Sequence, residues 1–367
     1  MSVQMTAAST GWALAYPTNP AVVSPSPVVL LVRTTNGART WTDVTPTAAR
    51  KALANPETTE VLYTLSGTRA YLAVNAPEPV ASTVSLTDVF ATDNGGRTWT
   101  ETAPVKAPGY ARALSFADPD HGWLLISEGA AMGENPVQVY RTTDGGARWS
   151  LVAQSPAMDS DSTSGIPVTC DKTGITFASA TTGWLTSACI AGLSGELLVS
   201  RDGGVTWAVQ RLPLPADVCG DSGCFLAGPE FTGGTGFVTV APAAGTPTLL
   251  VTRDLGQAWQ PVPLPAGSGR YPQIDFFGPL HGVLVSAGSQ GSIGTVFYTT
   301  SDGGQTWTAV RQGIRFIQPG AAIDFVSASA GFAWSLGAGT QGATPPPMYE
   351  TTDSGHTWTP FAPRLVS

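Results

Sequence analysis

Three carboxylates stand at matching places in successive repeats of this chain. Glu230 lies in Pro229-Glu230-Phe231, Asp275 in Ile274-Asp275-Phe276 and Asp324 in Ile323-Asp324-Phe325. Carboxylates held close together raise one another's pKa, which is how a general acid or a cation site is made. A glycoside hydrolase wants two of them about 5 to 9 Å apart, and Glu230 with Asp275 or Asp324 fits that need. The same column reads Gln4, Leu62, Ser115 and Thr176 elsewhere. Alternation puts it on the strand face opposite its apolar neighbours. The competing reading is therefore a solvated polar lining, or carboxylates bonded to neighbouring backbone N–H groups.

A second set is unrepeated. Arg112, Arg270 and Arg315 each fall shortly before one of these strands. Together they suit a carboxylate or sulfate, with Tyr110 and Tyr271 as stacking platforms for a sugar. Tyr271 beside Arg270 is also the base and charge-neutralising pair that a polysaccharide lyase needs. Scattered surface arginine is the alternative. The three histidines offer nothing further: His121 and His281 precede the Gly of one repeated turn, and His356 sits inside a repeated box. Without a free histidine there is no Ser-His-Asp triad. Asp159 to Gly165 begins like a calcium loop, but its Gly is one place late and Cys170 stands where Glu belongs. It reads as a solvated loop, and no metal or other cofactor is expected.

The elements that would position these residues come from a Thr/Ser-x-Asp/Asn-x-Gly-x-Thr-Trp box. It ends at Trp41, Trp99, Trp149, Trp207, Trp259, Trp307 and Trp358. Its acidic or amide position is Asn36, Asn94, Asp144, Asp202, Asp254, Asp302 and Asp353. Asp-Gly or Asn-Gly between two strands is a hairpin signal, and the Asp side chain can accept from turn N–H groups. A weaker Gly-aromatic pair precedes each box, as in Gly122-Trp123 and Gly183-Trp184, with a short alternating run ahead of it. Each unit thus reads as four short strands. A period of about 50 residues is that of a propeller blade. The expected fold is all-β: one seven-bladed β-propeller over 1–367, with four-stranded antiparallel blades and the box between third and fourth strands. The blades fall near 2–46, 60–104, 111–154, 173–213, 228–263, 272–311 and 321–363. Each blade is continuous in sequence, so closure is expected from packing of the first blade on the last rather than from a shared blade.

Composition narrows the partners. The net charge is −8, charged residues make up 12%, and the lysines are only Lys51, Lys106 and Lys172. Phosphate binding wants a basic face, so nucleic acid is an unsuitable partner. No apolar run is long enough to span a membrane. The cysteines, Cys170, Cys189, Cys219 and Cys224, allow three disulfide connectivities. Disulfides imply an oxidising, extracytoplasmic compartment, and a trimmed leader with a lipid anchor would fit it. A monomer is expected.

The boxes and Gly-aromatic pairs resemble the Asp-box (BNR repeat) propeller superfamily over essentially the whole chain. They look most like the photosystem II assembly and stability factors, through repeats such as Leu114-Ser-Phe-Ala-Asp-Pro-Asp-His121-Gly-Trp123. Sialidases, xyloglucanases and sortilin-type receptors share the box, and a bacterial protein, secreted, periplasmic or at the cell surface, is expected. The resemblance implies that the boxes lie away from ligand sites, and it implies a non-enzymatic binding or assembly role with a protein or an oligosaccharide. The acidic, Lys-poor composition departs from the basic patch of the photosystem factors. Sialidases carry an Arg-Ile-Pro element, which does not occur here. The alternative is a carbohydrate-active enzyme built on Glu230, Asp275, Asp324 and Tyr271.

Overall fold

The computed structural model describes residues 2–16, 29–75, 85–129, 133–156, 163–189, 196–214, 218–219, 223–242, 245–266, 268–269, 272–286, 296–310, 321–335 and 348–366. Strands make up almost all of the regular structure, with one four-residue helix, Arg50–Leu53, among the described residues. The chain forms two compact units. One holds Met1–Thr45, Phe231–Phe237 and Thr246–Ser367; the other holds Pro46–Glu230 and Val238–Gly245.

In the second unit, strands Tyr110–Phe116, Gly122–Ser127, Val137–Thr142 and Ser150–Gln154 follow one another as an antiparallel meander. Asp171–Phe177, Gly183–Ala188, Leu197–Ser200 and Ala208–Gln210 repeat the order, and Ala188 bridges to Phe225 of Cys224–Thr232. Thr59–Thr64, Ala70–Asn75, Ser85–Thr92 and Thr100–Glu101 do the same, with an additional strand, Val105–Ala107, on Ser85–Thr92. The second strand of each set is buried along its whole length or nearly so, as in Gly122–Ser127. Its residues are apolar without alternation because both of its faces are covered.

The first unit contains three such sets. They are Ser2–Met5 to Thr40–Asp43, Gln273–Phe276 to Thr308–Val310, and Ala321–Phe325 to Thr359–Phe361. The last strand, Arg364–Val366, does not belong to the set before it. It runs parallel to Thr40–Asp43, with Leu365 opposite Trp41. Strand sharing between the two ends of the chain therefore adds to packing, contrary to the sequence expectation. Three residues after a proline carry no periodicity by which to be recognised.

Aromatic rings explain the Gly-aromatic pairs. Trp123 stacks on Phe177 with centroids 3.5 Å apart, and Tyr71 stacks on Phe116 in the same way. In the first unit Phe237 stacks on Phe276. Each pair joins the second strand of one set to the first strand of the next. The box tryptophan then meets the same phenylalanine edge-on, as Trp207 meets Phe177 at 5.9 Å. Gly183 is obligatory because a Cβ there would stand 2.5 Å from the Phe177 ring. Trp12, Trp123 and Trp184 are fully buried, and truncating such a ring to Ala costs about 3–5 kcal/mol.

Candidate functional site

The boxes use up their own carboxylates. Asp202 accepts the backbone N–H of Thr206 at 2.9 Å and its hydroxyl at 2.6 Å, while Ser200 donates to Asp202 and accepts from the Gly204 N–H. Asp302 and Asp353 repeat this pattern. Asn36 and Asn94 keep it with one bond reversed, Asn94 Nδ2 donating to the Thr98 hydroxyl. Hydrogen bonds from Thr357 are the main cause that holds the Asp353 carboxyl down at about 2. The Asp144 and Asp254 carboxyls are also lowered, chiefly by the backbone N–H groups of Arg148 and Ala258. These groups are acceptors fixed inside turns, with nothing to offer a substrate.

The carboxylate column has backbone partners. Asp275 Oδ2 accepts the Phe325 N–H at 2.5 Å, and Asp324 Oδ2 accepts the Met5 N–H at 2.6 Å. In the other unit Ser115 Oγ accepts the Phe177 N–H at 2.9 Å. In all three the side chain reaches the residue after the equivalent position of another set. Burial pushes the Asp275 carboxyl up to about 6. Burial, with a smaller contribution from the charge of Asp275, pushes Asp324 up to about 7. Glu230 is exposed and belongs to the second unit, whereas the two aspartates belong to the first.

Arg112 and Asp171 are brought together, Nη2 to Oδ2 at 3.5 Å. The register of Tyr110–Phe116 slips between Ala111 and Ala113, so Arg112 is the extra residue of a bulge. A bulge re-aims its side chain. Arg112 remains 35% exposed, but its Nε is buried and has no hydrogen-bond partner. Tyr110 is half-buried at the start of the same strand. The result is a guanidinium with one edge towards Asp171 and hydrogen-bonding capacity left over. A planar fork of that kind suits a carboxylate or a main-chain amide.

Asp171 sits between two anchors, of which the sequence offered the cysteine but not the lysine. On one side Cys170 is bonded to Cys189. On the other Lys172 is fully buried, and its ammonium donates to the carbonyls of Pro167, Thr169 and Cys170. Its backbone N–H donates to Asn135 Oδ1 at 3.0 Å, and Asn135 donates in turn to the Ser127 hydroxyl. Burial pulls the Lys172 amine down to about 8, against the opposing charges of Glu196 and Asp171. Burial raises the Glu196 carboxyl, which Lys172 lowers by less. The scarcity of lysine in this chain was the one available signal.

The second disulfide joins Cys219 to Cys224, so two small bridges are formed from the three possible connectivities. His121 Nδ1 lies 2.9 Å from Asp118, His281 stacks on Phe277, and His356 Nδ1 meets the Asp353 carbonyl. Arg270, Tyr271 and Arg315 lie outside the described residues, as does Asp159. The described end of the candidate calcium segment packs on the protein itself, with the Trp207 N–H donating to the Ser164 carbonyl. Among the described residues no group of three His, Cys, Asp or Glu is placed to hold a metal ion, and no helix is long and apolar enough to cross a membrane.

Comparison with known proteins adds the family. No curated protein matches the chain. Among solved structures, YCF48 from Cyanidioschyzon merolae is 16% identical, with 90% of this chain and 91% of that one covered and a TM-score of 0.54. YCF48 bound to D1 peptide is 16% identical over 83% and 84%, with a TM-score of 0.49. Prolyl oligopeptidase B from Galerina marginata is 11% identical with a TM-score of 0.59; 98% of this chain covers 50% of that enzyme, so the chain spans about half its length. At these identities the likeness concerns fold alone. The family model described as photosynthesis system II assembly factor YCF48 matches residues 153–337. With half of its length matched by that model, the chain belongs to the YCF48-type BNR-repeat family.

Proposed function

We propose that this chain is a seven-bladed β-propeller that acts outside the cytoplasm as a non-enzymatic binding and assembly protein. Its blades follow the box periodicity, and it holds a protein partner at the start of the strand Tyr110–Phe116. The observation that carries this reading is the bulged Arg112, whose guanidinium stays 35% exposed while Asp171 holds one edge of it. Family membership supports an assembly role. The two disulfides support an oxidising compartment. Arg270, Arg315 and Tyr271 are proposed as further ligand-binding residues.

The carbohydrate-active alternative has less to draw on. Asp275 and Asp324 already serve backbone N–H groups, and the box carboxylates are consumed in turns. The deciding experiment captures partners from a native cell-envelope extract with wild-type protein and with Arg112→Ala. A partner retained by the first and lost by the second supports the reading. Equal retention by both removes Arg112 from it. A thermal shift with one oligosaccharide class, abolished in Asp275→Asn, would replace the assembly reading with the carbohydrate one.

A further inference from the structure

We infer that the seam between strands Ala321–Phe325 and Ser2–Met5 is a proton-sensitive latch, closed by Asp324 and tuned by Asp275, that tightens as the medium becomes mildly acidic. The inference stands on the geometry of the first unit and does not require a partner.

Two hydrogen bonds run in series. Asp275 holds the N–H of Phe325, and the neighbouring residue, Asp324, holds the N–H of Met5. These bonds join strands that are not paired as a ladder, because Ala321–Phe325 pairs with Gly331–Ser335 and Ser2–Met5 with Gly11–Ala15. The outer side of the seam is fixed separately. There the Arg364 N–H donates to the Arg39 carbonyl, and Arg39 reaches Glu350 at 2.5 Å. Val3 and Met5 pack with Phe332 and Trp334 in one buried cluster, and Asp324 adds a hydrogen bond between the first strands of the two sets.

The surroundings of the two acids are apolar. Asp275 lies opposite Val283 and Asp324 opposite Phe332, and Gln4 is the uncharged residue beside Met5. The charge that acts on Asp324 is Asp275. The charged groups of the seam's outer side are Arg39, Glu350 and Arg364. Ionising either aspartate places a charge in a poorly solvated position, and ionising both sets like charges against each other. The neutral acid avoids both costs, and its carbonyl oxygen still accepts the N–H; the stronger bond a carboxylate would make favours ionisation by less than burial opposes it.

The direction follows from linkage. Both folded values, about 6 and about 7, lie above the ordinary carboxylate value of 3.8. The folded state then binds more protons than the unfolded one across that window. The associated stability is full below pH 3.8 and is lost as the pH rises through the folded values. The latch is tight at pH 5 and loosened at pH 8.

The test is denaturant unfolding of wild type and Asp324→Asn between pH 5 and 8. Asn keeps the acceptor and removes the titration. In wild type the unfolding constant should rise roughly fiftyfold from pH 5 to 7 through Asp324 alone. In Asp324→Asn that contribution should vanish, leaving only the roughly tenfold rise that Asp275 gives, with the variant the more stable at pH 8. A slope equal to that of wild type overturns the proposal. Asp275→Asn is the second variant and should move the titration of Asp324 to lower pH; an unchanged profile there also overturns it. Exchange of the Met5 amide, corrected for the intrinsic rate, should be slower at pH 5 than at pH 8 in wild type and equally fast at both in Asp324→Ala. PH-independent protection of Met5 in wild type would place the closure elsewhere.

Discussion

The backbone N–H of Phe177 donates to the hydroxyl of Ser115 at 2.9 Å, across 62 residues of sequence. Ser115 is 2% exposed, so this donor has no water to turn to. Ser115→Ala should cost about 1–3 kcal/mol, the desolvation penalty of an orphaned N–H. Denaturant unfolding measures it. Ser115→Thr, which keeps the hydroxyl, should retain more of the stability than Ala. Equal loss in both variants would mean that packing, not the hydrogen bond, joins these strands.

The boxes contain their own natural comparison. Asn36 and Asn94 hold the same turn that aspartate holds elsewhere, by donating to the threonine hydroxyl rather than accepting from it. Asp353→Asn should therefore leave the fold intact, whereas Asp353→Ala removes every side-chain acceptor of the turn. The Asp353 carboxyl, lowered to about 2, contributes stability that is present above pH 3.8 and lost as the pH falls towards 2. Asp353→Asn should flatten that acid limb of the melting curve. A variant whose acid limb matches wild type would show that the turn does not feel the charge.

At the residue after the box aspartate, two boxes place a side chain where glycine is at ease, as Ala38 does one step later in the first box. Leu255 has φ of 55° and Ser354 has φ of 63°, at the position that Gly145 and Gly303 fill with φ of 71° and 72°. A left-handed conformation costs an L-residue roughly 1–2 kcal/mol, partly offset by the flexibility that glycine adds to the unfolded chain. Leu255→Gly should raise stability by about 0.5–1 kcal/mol, read as a higher melting temperature. Leu255→Ala, which keeps a Cβ, should not. A melting temperature that falls in Leu255→Gly would mean that the half-exposed leucine packs more strongly than its backbone is strained.

How much of this was legible follows from where each signal resides. The boxes and the Gly-aromatic pairs depend on contacts fixed by residue type over a few positions. Gly183 must be glycine because Phe177 lies against it, and Trp207 follows its turn by a constant step. The aspartate column was visible as residue types, but its partners are backbone N–H groups, which every residue carries. The Arg112 bulge was hidden because one inserted residue blurs an alternating pattern without breaking it. Lys172 was hidden because lysine is almost never fully buried. Its acceptors are main-chain carbonyls, which sequence does not distinguish either.

Lys172 and the Cys170–Cys189 bridge should act as one anchor for Asp171. The ammonium gathers three carbonyls, one of them that of Cys170 itself, and the bridge fixes the same residue to the end of the neighbouring strand. Lys172→Met fills the space but leaves those carbonyls without a donor, at about 1–3 kcal/mol for each group that water cannot reach. Cys170→Ser with Cys189→Ser removes a loop closure worth about 3 kcal/mol. If the two anchors share one function, the combined variant should lose less than the sum of its parts, because either change alone already frees the 167–172 segment. Unfolding of the three variants against wild type completes the double-mutant cycle. Strict additivity would mean that bridge and lysine secure different parts of the fold. Asp171 would then be held against Arg112 by the strand pairing alone.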